Sequence, residues 1–374
     1  MKIFYLSGST IPSRAANSIH VMKMCQAFVK NGHEVVLFAR NSREKIEDEY
    51  KFYGVDKCFK MERTKWPGVR GLGGLIYGYS VCKKVFDLAI PDLLYSRDIY
   101  SLFLLRKLNV PFIYEAHALP ENRIRYCLEN TLFLNKNFFR LVVISNALCL
   151  EYLKNFPKLS NKRIIVAHDG ADIPSNDLNK TMNYYNLKDN KINVGYIGHL
   201  YQGRGMEIIA QLAEHLSDID FHVIGGTDKD INYWKERVNS KNIFFYGFVP
   251  HGKIPDYYNS FDIMLAPYQK RVSGSSGRGD TVKWMSPLKV FEYMSFGKPI
   301  VASDLPVLRE VLKDKYNCLL CKPDDSIQWK NAITLLLNDM DLKQRIKINA
   351  WNDFIKNYTW ESRAKKVLGR LVNQ

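Results

Sequence analysis

No apolar stretch of this chain approaches the roughly 18–20 residues that a membrane-spanning helix needs. The opening MKIFYLSGST holds only a four-residue apolar run, short of a secretory signal's core, and is expected to be a first buried strand. The seven cysteines form no framework, which argues against a disulfide scaffold. Cys318 and Cys321 make one close pair with no second pair to complete a zinc site, so buried thiols in a reducing cytoplasm are expected. SRD and SFD hold single acids only and no ligand cluster is convincing, so no metal site is expected. There is no RRM, KH or zinc-finger pattern, no short repeat and no low-complexity tract, and nucleic acid is not an expected partner. RGLGGLIYGYS lacks dinucleotide-binding spacing and reads as a loop entering a helix, and SGSSGRGDT as a surface loop.

What the chain has is apolar content, 46% with 13% aromatic, enough for sizeable cores, and a length of 374 residues that suits two domains. Short apolar runs alternate with helical patterns. KIFYL is followed by SIHVMKMCQAFVKNG, in which Val21, Met24, Cys25 and Phe28 share one helical face, with Asn17 or Ser18 as cap and Gly32 as stop. VVLFA, nearly all apolar, suits a parallel strand covered on both faces. DLLYS, VPFIYEA and LVVIS continue the series; the polar stretch from Ile165 to Lys191 interrupts it; INVGYIG starts a second one. The fold class is α/β, two doubly wound Rossmann-like halves. Domains are expected at 1–175 and 176–357, with about 358–374 as a helix crossing back to the first.

Two loops carry chemistry. In SPLKVFEYMSFGKPIVAS, Ser286 is expected to cap a helix with Pro287 at its first position, leaving the Leu288 and Lys289 amides at the helix mouth. A helix N-terminus attracts anions, and Lys289 adds a full charge. Glu292, one turn on, could accept from sugar hydroxyls; a phosphate beside a polyol describes a nucleotide. The alternative is a surface Lys–Glu pair at i, i+3. In NVGYIGHLYQGRG, a strand runs into a loop where Gly198, Gly203 and Gly205 surround Arg204, and backbone there can approach a phosphate closely.

Together these motifs, with NIFFYGFVPHGKIPDYYNSFDIMLAPY, IPSRAANSIHVMKMCQAFVKNGHEV and YEAHALPE, resemble the family-four glycosyltransferases of GT-B fold along nearly the whole chain. The resemblance implies two Rossmann-like domains facing a cleft and a retaining transfer from a nucleotide-sugar, without metal or other cofactor. UDP is favoured over GDP. Arg204 and Lys289 would neutralise the leaving diphosphate. Gly198, His199, Gly203, Ser286, Pro287 and Leu288 would line it, Glu292 would hold the ribose, and Asn17 and Ser18 would lie near the donor phosphates. His117 would be the active-site histidine, positioning the sugar or donating to its hydroxyl, with Glu115 as its partner and Arg97 facing the cleft; His168 is taken as structural. Two departures stand out. Trp284 occupies the place of the first acid of E-x7-E, and His199 stands where a basic residue is usual.

The formal net charge is +16, of which +11 falls in residues 1–170, the half expected to bind the acceptor. With Phe52, Tyr53 and Trp66 this suggests an anionic membrane face, a saccharide or lipid-linked acceptor, and a cytoplasmic, peripheral location serving bacterial surface polysaccharide synthesis. A sugar-nucleotide 2-epimerase of the same fold, or a degenerate non-catalytic subunit, remains the alternative reading.

Overall fold

A computed structural model describes residues 1–174, 191–273, 280–369 and 371. The expected boundary at 175/176, the later part of the polar crossing and most of SGSSGRGDT lie outside the described residues. The chain divides into two compact units, Met1–His168 with Trp360–Gln374, and Asp169–Thr359.

The first unit is built on a seven-stranded sheet: β1 Lys2–Ile11, β2 Glu34–Asn41, β3 Lys60–Thr64, β4 Leu93–Ser96, β5 Phe112–Ala116, β6 Phe138–Val143 and β7 Ile164–Val166. Its order is β3-β2-β1-β4-β5-β6-β7, and every pairing is parallel. Parallel strands require crossovers and are covered on both faces, which is why Val35 to Ala39 are buried without alternation. In the helix Ala16–Lys30 the predicted face is buried, Val21, Met24, Cys25 and Phe28 all at 0% exposure. Gly32, at φ +84°, closes that helix by bonding the Val29 carbonyl at 2.8 Å. The cap is a correction: Ala15 precedes the helix without a side-chain bond, and Ser18 lies inside the first turn. The terminal helix Trp360–Leu368 belongs to this unit, where its buried face of Trp360, Arg363, Ala364, Val367 and Leu368 packs on Ala16–Lys30.

The second unit has six parallel strands: β8 Ile192–Ile197, β9 Ile219–Ile224, β10 Ile243–Gly247, β11 Ile263–Ala266, β12 Ile300–Ser303 and β13 Leu319–Cys321. Their order is β10-β9-β8-β11-β12-β13. In each sheet the winding reverses once, between β1 and β4 and between β8 and β11, and loops part there at the carboxyl edge to leave a crevice. One core layer holds Tyr196, Leu212, Trp329 and Ile346; the other holds Tyr258, Tyr293, Met294 and Phe354. All seven cysteines are free thiols. Cys318 and Cys321 are buried, and burial raises the Cys318 thiol beyond the usual range and pushes Cys321 up to about 12.

Candidate functional site

The loop after β8 and the segment after β11 leave neighbouring strands at the reversal point of the second sheet. Here the backbone is shaped by glycine. Gly205 starts the helix Met206–His215 at φ +91°, and a side chain there would meet the Pro267 carbonyl at 1.9 Å; at Gly203 it would meet the Arg271 carbonyl at 2.0 Å. At Gly198, φ +153°, a Cβ would stand 2.5 Å from Lys289 Nζ. So the glycine loop lies directly against the lysine of the other motif, which sequence spacing could not show.

Lys289 is buried, its Nζ 3.7 Å from the Tyr196 ring centroid and 5.2 Å from that of Tyr268. Neither that ammonium nor Arg204 Nε has a hydrogen-bond partner among the described residues. Arg204 lies over Tyr268, 5.6 Å from the ring centroid. Burial, then the charge of Arg204, hold the Lys289 ammonium well below the ordinary lysine range. Buried polar groups are nearly always paired, so the Lys289 ammonium and the Arg204 Nε–H stand out as donors without a hydrogen bond among the described residues. The surface Lys–Glu pair is thereby rejected.

The helix itself runs Leu288–Ser295, with Pro287 as its extended N-cap residue at ψ 119°. Ser286 therefore does not cap it, a correction: its Oγ accepts from the Asp169 amide at 2.7 Å and ties down the chain entering the unit. Leu288 and Lys289 become the first and second helical residues, and their amides still point out of the mouth. Glu292 is held from both sides, Oε1 by His251 Nε2 at 2.6 Å and Oε2 by the Tyr258 hydroxyl at 2.7 Å. A carboxylate has about four acceptor sites, so these bonds fix its direction and leave capacity for a hydroxyl. His199 stacks on Tyr201, with ring centroids 4.6 Å apart. Trp284 is half-buried, its amide bonding the Thr281 carbonyl at 3.3 Å.

In the first unit, Arg97 follows β4 and donates to the Asn17 carbonyl at 3.3 Å, joining the two loops at that sheet's reversal point. Asn17 is exposed. Ser18 is fully buried, its hydroxyl donating to the Ala15 and Ser13 carbonyls at 2.7 and 3.0 Å, so it stabilises the loop and is not presented to a ligand. His117 follows β5, with its side chain 26% exposed and Nε2 2.7 Å from the fully buried Glu115. His168 lies at the end of the unit, its carbonyl accepting from Arg363 at 2.9 Å. Of the aromatic residues expected on a membrane face, Tyr53 is wholly buried and bonded to Ser13, Phe52 is half-buried, and Trp66 is exposed but covers Arg40 at 3.7 Å. Sequence reading missed Tyr196, Tyr268, His251 and Tyr258; all four lie within quoted motifs, but only packing shows what they hold.

Comparison with known proteins bears on the family and the fold. Residues 18–174 match the family model for Glycosyltransferase Family 4, and residues 191–339 match that for Glycosyl transferases group 1. An uncharacterized glycosyltransferase of Methanocaldococcus jannaschii is 26% identical over 266 residues, 68% of this chain and 64% of its own length. N,N'-diacetylbacillosaminyl-diphospho-undecaprenol alpha-1,3-N-acetylgalactosaminyltransferase of Campylobacter jejuni is 23% identical over 244 residues, 63% of this chain and 61% of its own. The chain thus spans somewhat less than two thirds of either relative. The crystal structure of Anabaena HepE with UDP and glucose superposes with a TM-score of 0.72 at 18% identity, covering 100% of both chains. Two parallel sheets of this order, each reversing once, define the GT-B fold. Within it, the chain belongs to the family-four glycosyltransferases.

Proposed function

We propose that this protein moves a sugar from a UDP-sugar to a saccharide or lipid-linked saccharide acceptor with retention of anomeric configuration. The observation that carries the reading is the pair of buried donors, Lys289 Nζ and Arg204 Nε, that find no hydrogen-bond partner among the described residues, with Lys289 in the first turn of the helix Leu288–Ser295. A diphosphate satisfies both and the free amides together, while Glu292, aimed by His251 and Tyr258, takes the ribose hydroxyls. As the bond from the sugar's anomeric carbon to the diphosphate breaks, negative charge grows where these donors already point, the arrangement in which electrostatic stabilisation is largest. The acceptor oxygen bonds to the anomeric carbon on the same face and its proton passes to the departing diphosphate. His117 in the first unit is assigned a hydroxyl of a bound sugar.

A membrane-held acceptor is supported by the helix Gly73–Phe86, which is apolar on two faces. Tyr77, Val81 and Val85 pack inward, while Leu72 just before it and Leu75, Ile76, Tyr79 and Phe86 are exposed. From Lys65 to Phe86 the chain carries Lys65, Arg70, Lys83 and Lys84 and no acid, which suits anionic headgroups. No helix among the described residues is long and apolar enough to cross a membrane, and we assign a cytoplasmic, peripheral location. The Campylobacter relative's name, with its diphospho-undecaprenol acceptor, supports the same class of acceptor.

The test is thermal stabilisation by UDP, GDP and ADP, on the wild type and on Arg204→Ala and Glu292→Ala, followed by turnover of UDP-sugars with and without acceptor. Stabilisation by UDP that both substitutions abolish, with sugar transferred to acceptor, is the expected result. An isomerised UDP-sugar formed without acceptor would instead establish the 2-epimerase, and no stabilisation by any nucleotide would remove the donor site.

A further inference from the structure

Glu115 is a fully buried, multiply bonded carboxylate of the first unit. Its Oε1 lies 2.7 Å from His117 Nε2, 2.9 Å from His20 Nε2 and 2.9 Å from Arg363 Nη2; its Oε2 accepts from the Tyr95 hydroxyl and, at 3.5 Å, from Arg363 Nη1. Glu115 and Arg363 are 0% and 2% exposed. An ionised carboxylate can only accept, so every group aimed at it must present a hydrogen. Burial alone would raise the Glu115 carboxyl, but Arg363, then His20 and His117, outweigh it and hold it well below the usual carboxylate range. The His117 imidazole must therefore direct Nε2–H inward. One guanidinium already balances the one negative charge, so the His117 ring needs no second proton.

We propose that Glu115 and Arg363 are positioning residues that lock His117 as the neutral Nε2–H tautomer, so that Nδ1 meets a substrate hydroxyl as a hydrogen-bond acceptor. This rests on the transferase reading only for the substrate; the tautomer stands without it. It reverses the expectation that His117 donates to the sugar. The charged and titratable groups facing the ring are Glu115 on β5, His20 on the helix Ala16–Lys30, Arg97 after β4, and, across Glu115, Tyr95 on β4 and Arg363 on the terminal helix. Burial, then Arg97, lower the His117 ring to about 4 despite its carboxylate partner. The same three side chains, His20, Glu115 and His117, have ligand atoms within 4.8 Å of one another, as a metal site would. Arg363 argues against that use, because its guanidinium already occupies Oε1 and a divalent ion would add charge beside a buried cation.

Long-range proton–nitrogen correlation spectra of histidine-labelled protein decide the matter, with His117→Gln to assign the signal. In the wild type the His117 ring is expected to remain neutral and Nε2-protonated from pH 8 to 5.5. Arg363→Met leaves Glu115 without its counter-charge, and one of the two rings then takes up a proton, its midpoint rising by about one to three pH units, the effect of an opposite charge at this range. Arg363→Lys restores the neutral ring, and the double variant Glu115→Gln, Arg363→Met shows no such rise; these two also cover the case in which Arg363→Met does not fold. An Nδ1-protonated or charged His117 in the wild type, or an unshifted ring in folded Arg363→Met, overturns the proposal. Stoichiometric zinc chloride moving both ring signals together would replace it with a metal site.

Discussion

Substituting Lys289 by Met should stabilise the free protein and disable it at once. The ammonium is enclosed with Tyr196 on one side and Tyr268 further off, without a hydrogen-bond partner among the described residues. An unsatisfied buried donor costs about 1–3 kcal/mol, and Met keeps the length and most of the packing of the lysine stem. A unit of this size shifts by roughly 2–4 °C per kcal/mol, so the melting temperature without ligand should rise by several degrees. The nucleotide response should move the other way. A hydrogen bond to a charged group is worth about 1.5–3 kcal/mol, which weakens UDP binding about ten- to a hundred-fold. Differential scanning fluorimetry of both proteins over a UDP titration, with calorimetry for the dissociation constant, measures the two effects together. A fall in melting temperature would mean that Lys289 is paired and structural, and an unchanged UDP response would mean that the diphosphate lies elsewhere.

The same residue sets a pH dependence. Its folded-state pKa is depressed, so above that pKa and below the ordinary lysine value the unfolded chain binds a proton that the folded chain does not. Stability of the free protein should accordingly rise with pH through that window, and the difference from Lys289→Met, followed by chemical denaturation, should shrink as pH rises. At a pH above that lowered pKa a diphosphate should restore the ammonium's proton, so UDP binding there should take up protons by calorimetry in buffers of different ionisation enthalpy, and Lys289→Met should lose that uptake. Gly205→Ala forces a Cβ to 1.9 Å from the Pro267 carbonyl at φ +91° and should cost at least about 2 kcal/mol, a melting-point drop of roughly 4–8 °C. The double substitution Leu75→Glu, Ile76→Glu should abolish sedimentation with phosphatidylglycerol vesicles while leaving stabilisation by UDP intact; retained sedimentation would place the membrane contact on another surface.

The sequence by itself determined the parts that depend on local pattern. Alternating apolar runs and helical faces required two parallel sheets, because runs such as VVLFA can be buried only between two helical layers. The glycine turn of Gly198, Gly203 and Gly205 and the helix mouth at Lys289 were legible because a glycine loop is a short-range device, written within a few residues of its strand. Capping was read one residue out of place: Ser286 has the chemistry of a cap, but whether it caps a helix or holds the Asp169 amide depends on a segment 117 residues away in the chain. Only the tertiary structure could decide that Lys289 has no hydrogen-bond partner among the described residues, that His251 and Tyr258 aim Glu292, or that Arg363 meets Glu115 across 248 positions of sequence. Burial and charge compensation are properties of what surrounds a side chain, and in this fold those surroundings come from distant strands and helices. The roles of His117 and Lys289 are set there.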